Sequence, residues 1–175
     1  MTWAFSDESE RGSSMLLGVV FVPTGAVASI RRDLRGLLLP GQRRVHTAKE
    51  SPRRRRVVLD LVASLEVEAV VLLHRRKAGT HRVEARHDLV VAATRLVTDH
   101  GVSTWVLDDQ EPVQSARDRH SIATVAGPMA PLVYDHRPSR LELLLWAADA
   151  LVWATGAGGE WRRRIDHLVA TQAVP

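Results

Sequence analysis

The chain has 175 residues, 45% of them hydrophobic and 25% charged, the balance of a protein with one well-filled core. It contains no cysteine, which excludes disulfides and thiolate metal sites and fits a reducing compartment. The formal charge is +4 and nearly all the basic residues are arginine, whose planar fork suits phosphate; nucleic acid is therefore one candidate partner, and an arginine-biased solvated surface is the other reading.

The opening, MTWAFSDESERG, lacks a basic region followed by an apolar stretch, so no signal peptide is expected. No run of about 18 uncharged apolar residues suggests a membrane span, and a cytoplasmic protein is the expectation. MTWAFSD reads as a short strand and SSMLLGVVFVP as a longer, well buried one, joined by a hairpin-like SERGSS. A helix is expected over 24–38, stopped at Pro40-Gly41, and RRVHT reads as a short third strand.

Ser51-Pro52 supplies an N-cap and a proline at the first helical position for PRRRRVVLDLVASLE. VEAVVLLHR, apolar throughout, reads as a strand covered on both faces. An amphipathic helix over 82–100 ends at His100-Gly101. The strand STWVLDD, the helix VQSARDRHSIATVAG and the short strand APLVYD follow, then an apolar helix within ELLLWAADALVWATG and a last helix EWRRRIDHLVATQ. Strand and helix in alternation after a hairpin imply an α/β mixed sheet flanked by helices, in one domain spanning 1–175.

Asp149 is the odd residue in this pattern, a carboxylate on a helix that is otherwise almost wholly apolar. A buried carboxylate is costly unless it is hydrogen-bonded, protonated or bound to a cation. Other acids stand where strands end or helices begin: Asp7 and Glu8 in FSDES, Glu50 in HTAKES, and Asp108 and Asp109 in WVLDDQ. Carboxylates from separate elements are the ligands that Mg²⁺ or Mn²⁺ prefer, and two such ions about 4 Å apart can clamp the oxygens of a phosphodiester displacement. Each acid also has a structural reading. Strand-end acids form turns, Glu50 complements a helix start, and Asp149 could pair with Arg162 or Arg163.

FSDES followed by LLGVVFV resembles the opening of the DUF3800 proteins, and LLLWAADALVWA is similar to their C-terminal helix. The order of elements between, including VHTAKES leading into a helix, agrees. The position after Ser9, glycine in that family, is Glu10 here, and Trp146 and Ala147 stand where Gln and Leu are usual. The resemblance implies a ribonuclease H-like fold and a metal-dependent nuclease using two Mg²⁺ or Mn²⁺ ions. Carried over residue by residue, its acidic set is Asp7, Glu50, Asp108 and Asp149.

Arg53, Arg54, Arg55 and Arg56 form a cationic run beside Glu50 that could hold a phosphate backbone, or form a solvated first helical turn. His46 is either a proton-transfer or metal group or, as the more common case, a strand-edge residue bonded to backbone. His81 and His87 are spaced too widely for a helical metal clip. Trp146 and Trp153 lie on about the face of Asp149 and read as core, and Glu142 on that face is a substitute ligand. Two alternatives to a nuclease follow: a non-catalytic nucleic-acid-binding module of the same fold, and a partner-regulating protein in which Asp149 merely pairs with arginine.

Overall fold

Side-chain alternation sets the first two strands, and every later element is placed against them. The computed structural model describes all residues except 78, 80 and 129. β1 (Thr2–Arg11) and β2 (Ser14–Pro23) pair antiparallel around a two-residue turn, Gly12–Ser13, with Gly12 at φ +56°. That positive φ permits so tight a hairpin, so Ser9 to Arg11 and Ser14, expected in the connection, belong to the ladder instead. Along β1, Phe5 and Asp7 face one side of the sheet while Ala4, Ser6 and Glu8 face the other.

The rest of the chain gives α1 (Val27–Arg35), α2 (Pro52–Ala63), β3 (Glu68–Arg75), α3 (Arg82–Asp99), β4 (Val102–Asp108) and α4 (Pro112–Ala126). β5 (Val133–Arg137), α5 (Leu144–Ala157), α6 (Gly159–Ile165) and β6 (Val169–Val174) complete it. One sheet runs in the order β5-β4-β1-β2-β3-β6. β1/β2 and β2/β3 are antiparallel; β1/β4, β4/β5 and β3/β6 are parallel. One face is covered by α1, α2 and α5, whose core includes Phe5, Val20, Val106 and Leu151. The other carries α3 and α4 over Ala4, Leu17, Trp105 and Leu107. Among the described residues no helix is long and apolar enough to cross a membrane.

Three elements differ from expectation. α1 stops at Arg35, with Gly36 as its C-cap, before Pro40-Gly41 is reached; glycine gives up more backbone freedom in a helix than other residues do. RRVHT forms no strand. It carries a single buried apolar residue, Val45, and leads into a short 3₁₀ turn, Thr47–Lys49, whose first amide bonds a side chain instead of a neighbouring strand. The last helix ends at Ile165, and Val169–Val174 pairs parallel with β3. The free edge of β3, whose backbone groups require partners, outweighs the helical reading of a segment holding Val169, Thr171 and Val174. Ser51 caps α2 as expected, accepting from the Arg54 amide at 3.3 Å.

α5 is buried from Leu144 to Ala154 and lies across β1 and β2. Gly18 on β2 makes this approach possible. A Cβ at that position would lie 3.2 Å from Val152 Cβ and 3.5 Å from the Ala148 carbonyl oxygen. Gly18 is also the cross-strand partner of Asp7.

On the opposite face Glu8 does not join its neighbour Asp7. Its carboxylate accepts from Arg82 at 2.6 Å and from Arg86. Arg86, only 3% exposed, also gives Nη2 to Asp118 at 2.6 Å, and His136 Nε2 and Gln114 Nε2 lie 3.2 and 2.9 Å from the same carboxylate. Burial alone would raise the pKa of Asp118; the bonds from His136 and Arg86 more than offset it and hold the value at about 2. The stability this confers is complete above the ordinary value of 3.8 and is lost as pH falls toward about 2.

Two substitutions test this architecture by urea denaturation. Gly18→Val should cost about 1–3 kcal/mol by overpacking α5 against β2. Arg86→Met should cost about 3–5 kcal/mol at neutral pH, because the buried Asp118 and the half-buried Glu8 lose their shared guanidinium.

Candidate active site

Parallel register brings the first two acids together. Ser6 pairs with Leu107 across β1 and β4. The next residues along those strands, Asp7 and Asp108, therefore share the face already marked by Phe5 and Val106. Asp149 comes from above, on α5, where its neighbour Ala148 sits over Gly18, the partner of Asp7. Three chain segments thus deliver three carboxyl groups to one side of the sheet.

The electrostatics of Asp7 register this meeting. Its surroundings desolvate the carboxyl although part of the residue reaches the surface, and Asp149 and then Asp108 add repulsion. Together these hold the pKa well above the ordinary 3.8, against the pull of the Glu8 amide, which donates to Oδ1 at 2.7 Å. Asp108 is raised as well, chiefly by desolvation; the Ser139 amide, donating at 3.1 Å, and the charge of Arg44 oppose that rise. Neither aspartate forms an ion pair with a cation among the described residues.

Asp149 is 7% exposed and is held by the RRVHT loop, where a strand is the sequence expectation. The Thr47 amide donates to Oδ2 at 2.7 Å, and His46 Nδ1 lies 3.2 Å from Oδ1. This is what offsets the burial of an acid in an apolar helix. His46 therefore meets a carboxylate, where a backbone partner was the commoner expectation. Arg162 is not its partner; that side chain bonds Asp166, Thr155 and the Val169 carbonyl. Among the described residues Arg163 forms no hydrogen bond or ion pair with Asp149 either, so the simple arginine-pairing account of Asp149 does not hold.

Glu50 follows the 3₁₀ turn and makes different contacts: Gln42 Nε2 donates to it at 3.2 Å, and Arg54 Nε lies 3.8 Å away. Glu142 is bound by Arg31, accepts from the Leu144 amide at 3.2 Å, and precedes α5. Asp109 is exposed beside Asp108.

The arginine run is largely occupied. Arg55 donates to the Thr47 and Ala48 carbonyls at 2.9 and 2.7 Å and lies 4.7 Å from the ring centre of Trp153. Arg56 pairs with Glu160 at 3.3 Å and covers Trp161, while Arg53 stays exposed. Trp146 and Trp153 are core residues, and Trp146 Nε1 donates to the Ser139 carbonyl at 2.6 Å. Sequence reading missed Thr47, Arg44 and Ser139. Thr47 and Ser139 act through backbone amides, which residue type does not reveal, and Arg44 was hidden among many arginines.

As the side chains stand, no group of three or more His, Asp or Glu among the described residues is arranged to hold a metal ion. The chemistry of the donors nevertheless suits one: all are hard oxygen ligands, and a divalent cation would neutralise the repulsion felt by Asp7.

No protein-family model and no curated protein sequence matches the chain. Among solved structures it is similar to the ribonuclease HII of a PCNA:RNase HII complex from Archaeoglobus fulgidus, with a TM-score of 0.58 at 14% identity, over 96% of this chain and 76% of that one. The fold is ribonuclease H-like, a mixed α/β sheet flanked by helices.

The raised Asp7 value sets a pH dependence. Its folded carboxyl keeps a proton to higher pH than the unfolded one, so the group costs stability as pH climbs from near 3.8 through the folded value. In a buffer with chelator, Asp7→Asn should gain stability relative to the parent chain as pH rises from about 4 to 8. Urea midpoints across that range check the sign.

Proposed function

We propose that this chain is a metal-dependent nuclease that hydrolyses nucleic-acid phosphodiesters, with Asp7, Asp108 and Asp149 as its acidic centre. The observation that carries this reading is the arrival of three carboxylates from β1, β4 and α5 on one side of the sheet, with neither Asp7 nor Asp108 ion-paired among the described residues; the upward shift of Asp7 agrees with it. Structural centres in this same protein look different: Asp118 and Glu8 are matched by Arg86.

In this reading Asp7, Asp108 and Asp149, with Glu50 as the fourth acid, would hold two Mg²⁺ or Mn²⁺ ions. Such ions, held by these carboxylates, would supply polarisation of the phosphodiester and a lowered pKa for an attacking water. The chain's own part is orientation. The Thr47 amide and His46 fix the Asp149 carboxyl, and the Ser139 amide fixes that of Asp108. Excess arginine favours a polyanionic substrate. Membership in the DUF3800 family belongs to the same proposal, since FSDES and LLLWAADALVWA supply Asp7 and Asp149.

The experiment is cleavage of end-labelled RNA, DNA and hybrid duplex with Mg²⁺ or Mn²⁺. Turnover should vanish in chelator and fall by at least about 100-fold in Asp7→Asn. Mn²⁺ should raise the melting temperature of the parent chain and leave that of Asp7→Asn unmoved. A chain that cuts none of these substrates and is not stabilised by either ion refutes the proposal.

A further inference from the structure

Beside Asp108 lies a pocket of about 460 Å³, lined by Arg43, Arg44 and Arg140 together with Asp108, Asp109 and Ser139. Its size falls in the range of about 300–1,000 Å³ that small-ligand sites occupy. It accommodates part of a nucleotide chain more readily than a lone ion. The three arginines come from two segments distant in sequence, the loop before the 3₁₀ turn and the connection from β5 to α5.

What sets these three apart from other unpaired surface arginines, Arg95 and Arg117 among them, is that they converge on one pocket beside Asp108, whereas several further arginines are neutralised. Arg56, Arg82, Arg162 and Arg164 are all engaged by carboxylates. Arg43 and Arg140 are exposed, and among the described residues neither forms an ion pair or a side-chain hydrogen bond. Arg44 donates to Ser139 Oγ at 2.9 Å, and the amide of that same Ser139 donates to Asp108 at 3.1 Å. One residue thus ties the cationic pocket to the acidic centre. Three guanidinium groups outnumber the two carboxylates in the lining, so the pocket attracts an anion where the aspartates alone would repel it.

We propose that this pocket is a backbone-phosphate subsite, in which Arg43, Arg44 and Arg140 hold the phosphodiester adjacent to the one presented to Asp7, Asp108 and Asp149. The choice of ligand rests on the nuclease reading. Guanidinium forks bind phosphate oxygens in pairs, which fixes the position of a strand as well as attracting it. The contact carries no base information, so it serves any sequence.

Binding in chelator separates this proposal from catalysis. The probes are fluorescein-labelled single-stranded RNA and DNA 12-mers, followed by anisotropy from low to moderate salt. Arg43→Ala/Arg140→Ala should weaken binding at least about tenfold and reduce the log–log salt slope by about 1.4, at about 0.7 per lost phosphate contact on a single strand. Arg95→Ala/Arg117→Ala removes the same charge from α3 and α4 on the opposite face and should do much less. Unchanged slope and affinity, an equal loss in the control, or no binding by the parent chain overturns the subsite. If the parent chain cleaves while the slope is unaffected, the nuclease reading survives and the subsite falls. If binding depends on Arg43 and Arg140 but nothing is cut, the reverse holds.

Discussion

The contact between α5 and the sheet at Gly18 is the constraint on which the rest of this molecule depends. Helices ordinarily stand off a sheet by the depth of their side chains. Here one strand position has none, and the helix backbone settles there, with Ala148 O and Val152 Cβ within 3.5 Å of where a Cβ would be. Because Gly18 faces Asp7 across the hairpin, the closest approach of helix and sheet occurs beside the first acid. Asp149 follows Ala148 and is carried to the same place. A carboxylate on an apolar helix is thus a product of where the helix can sit lowest.

The two faces of β1 show how differently one fold can treat charge. Asp7 and Glu8 are adjacent in sequence and point to opposite sides. Glu8 enters a network in which arginine, histidine and glutamine match the carboxylates, and Asp118 there is held at about 2. Asp7 meets two further carboxylates and is driven upward. Burial acts on both clusters; the difference is whether cations of the chain or further carboxylates face the acid.

Much of the sheet was legible because alternation and caps are local. The hairpin strands, Ser51-Pro52 before α2 and the glycine after α3 each follow from a few neighbouring residues. Asp7, Asp108 and Asp149 were legible for a related reason, since strand-end acids and a lone charge in an apolar helix are visible without a partner. What escaped depends on distant partners. β6 is a strand because β3 offers an edge, and the loop at 43–47 lacks a strand because Asp149 takes its amide. The immediate partners of Glu50, Gln42 and Arg54, are likewise not marked by its residue type.

The small turn at Thr47–Lys49 has a mechanical consequence. Its amide grips Asp149 of α5, while its carbonyls are gripped by Arg55 of α2. A carboxylate is thereby clamped between two core helices through a single rung of backbone. Its aim inherits the stiffness of both, so a distant change that unseats α2 would blur the acidic centre without altering any residue in it.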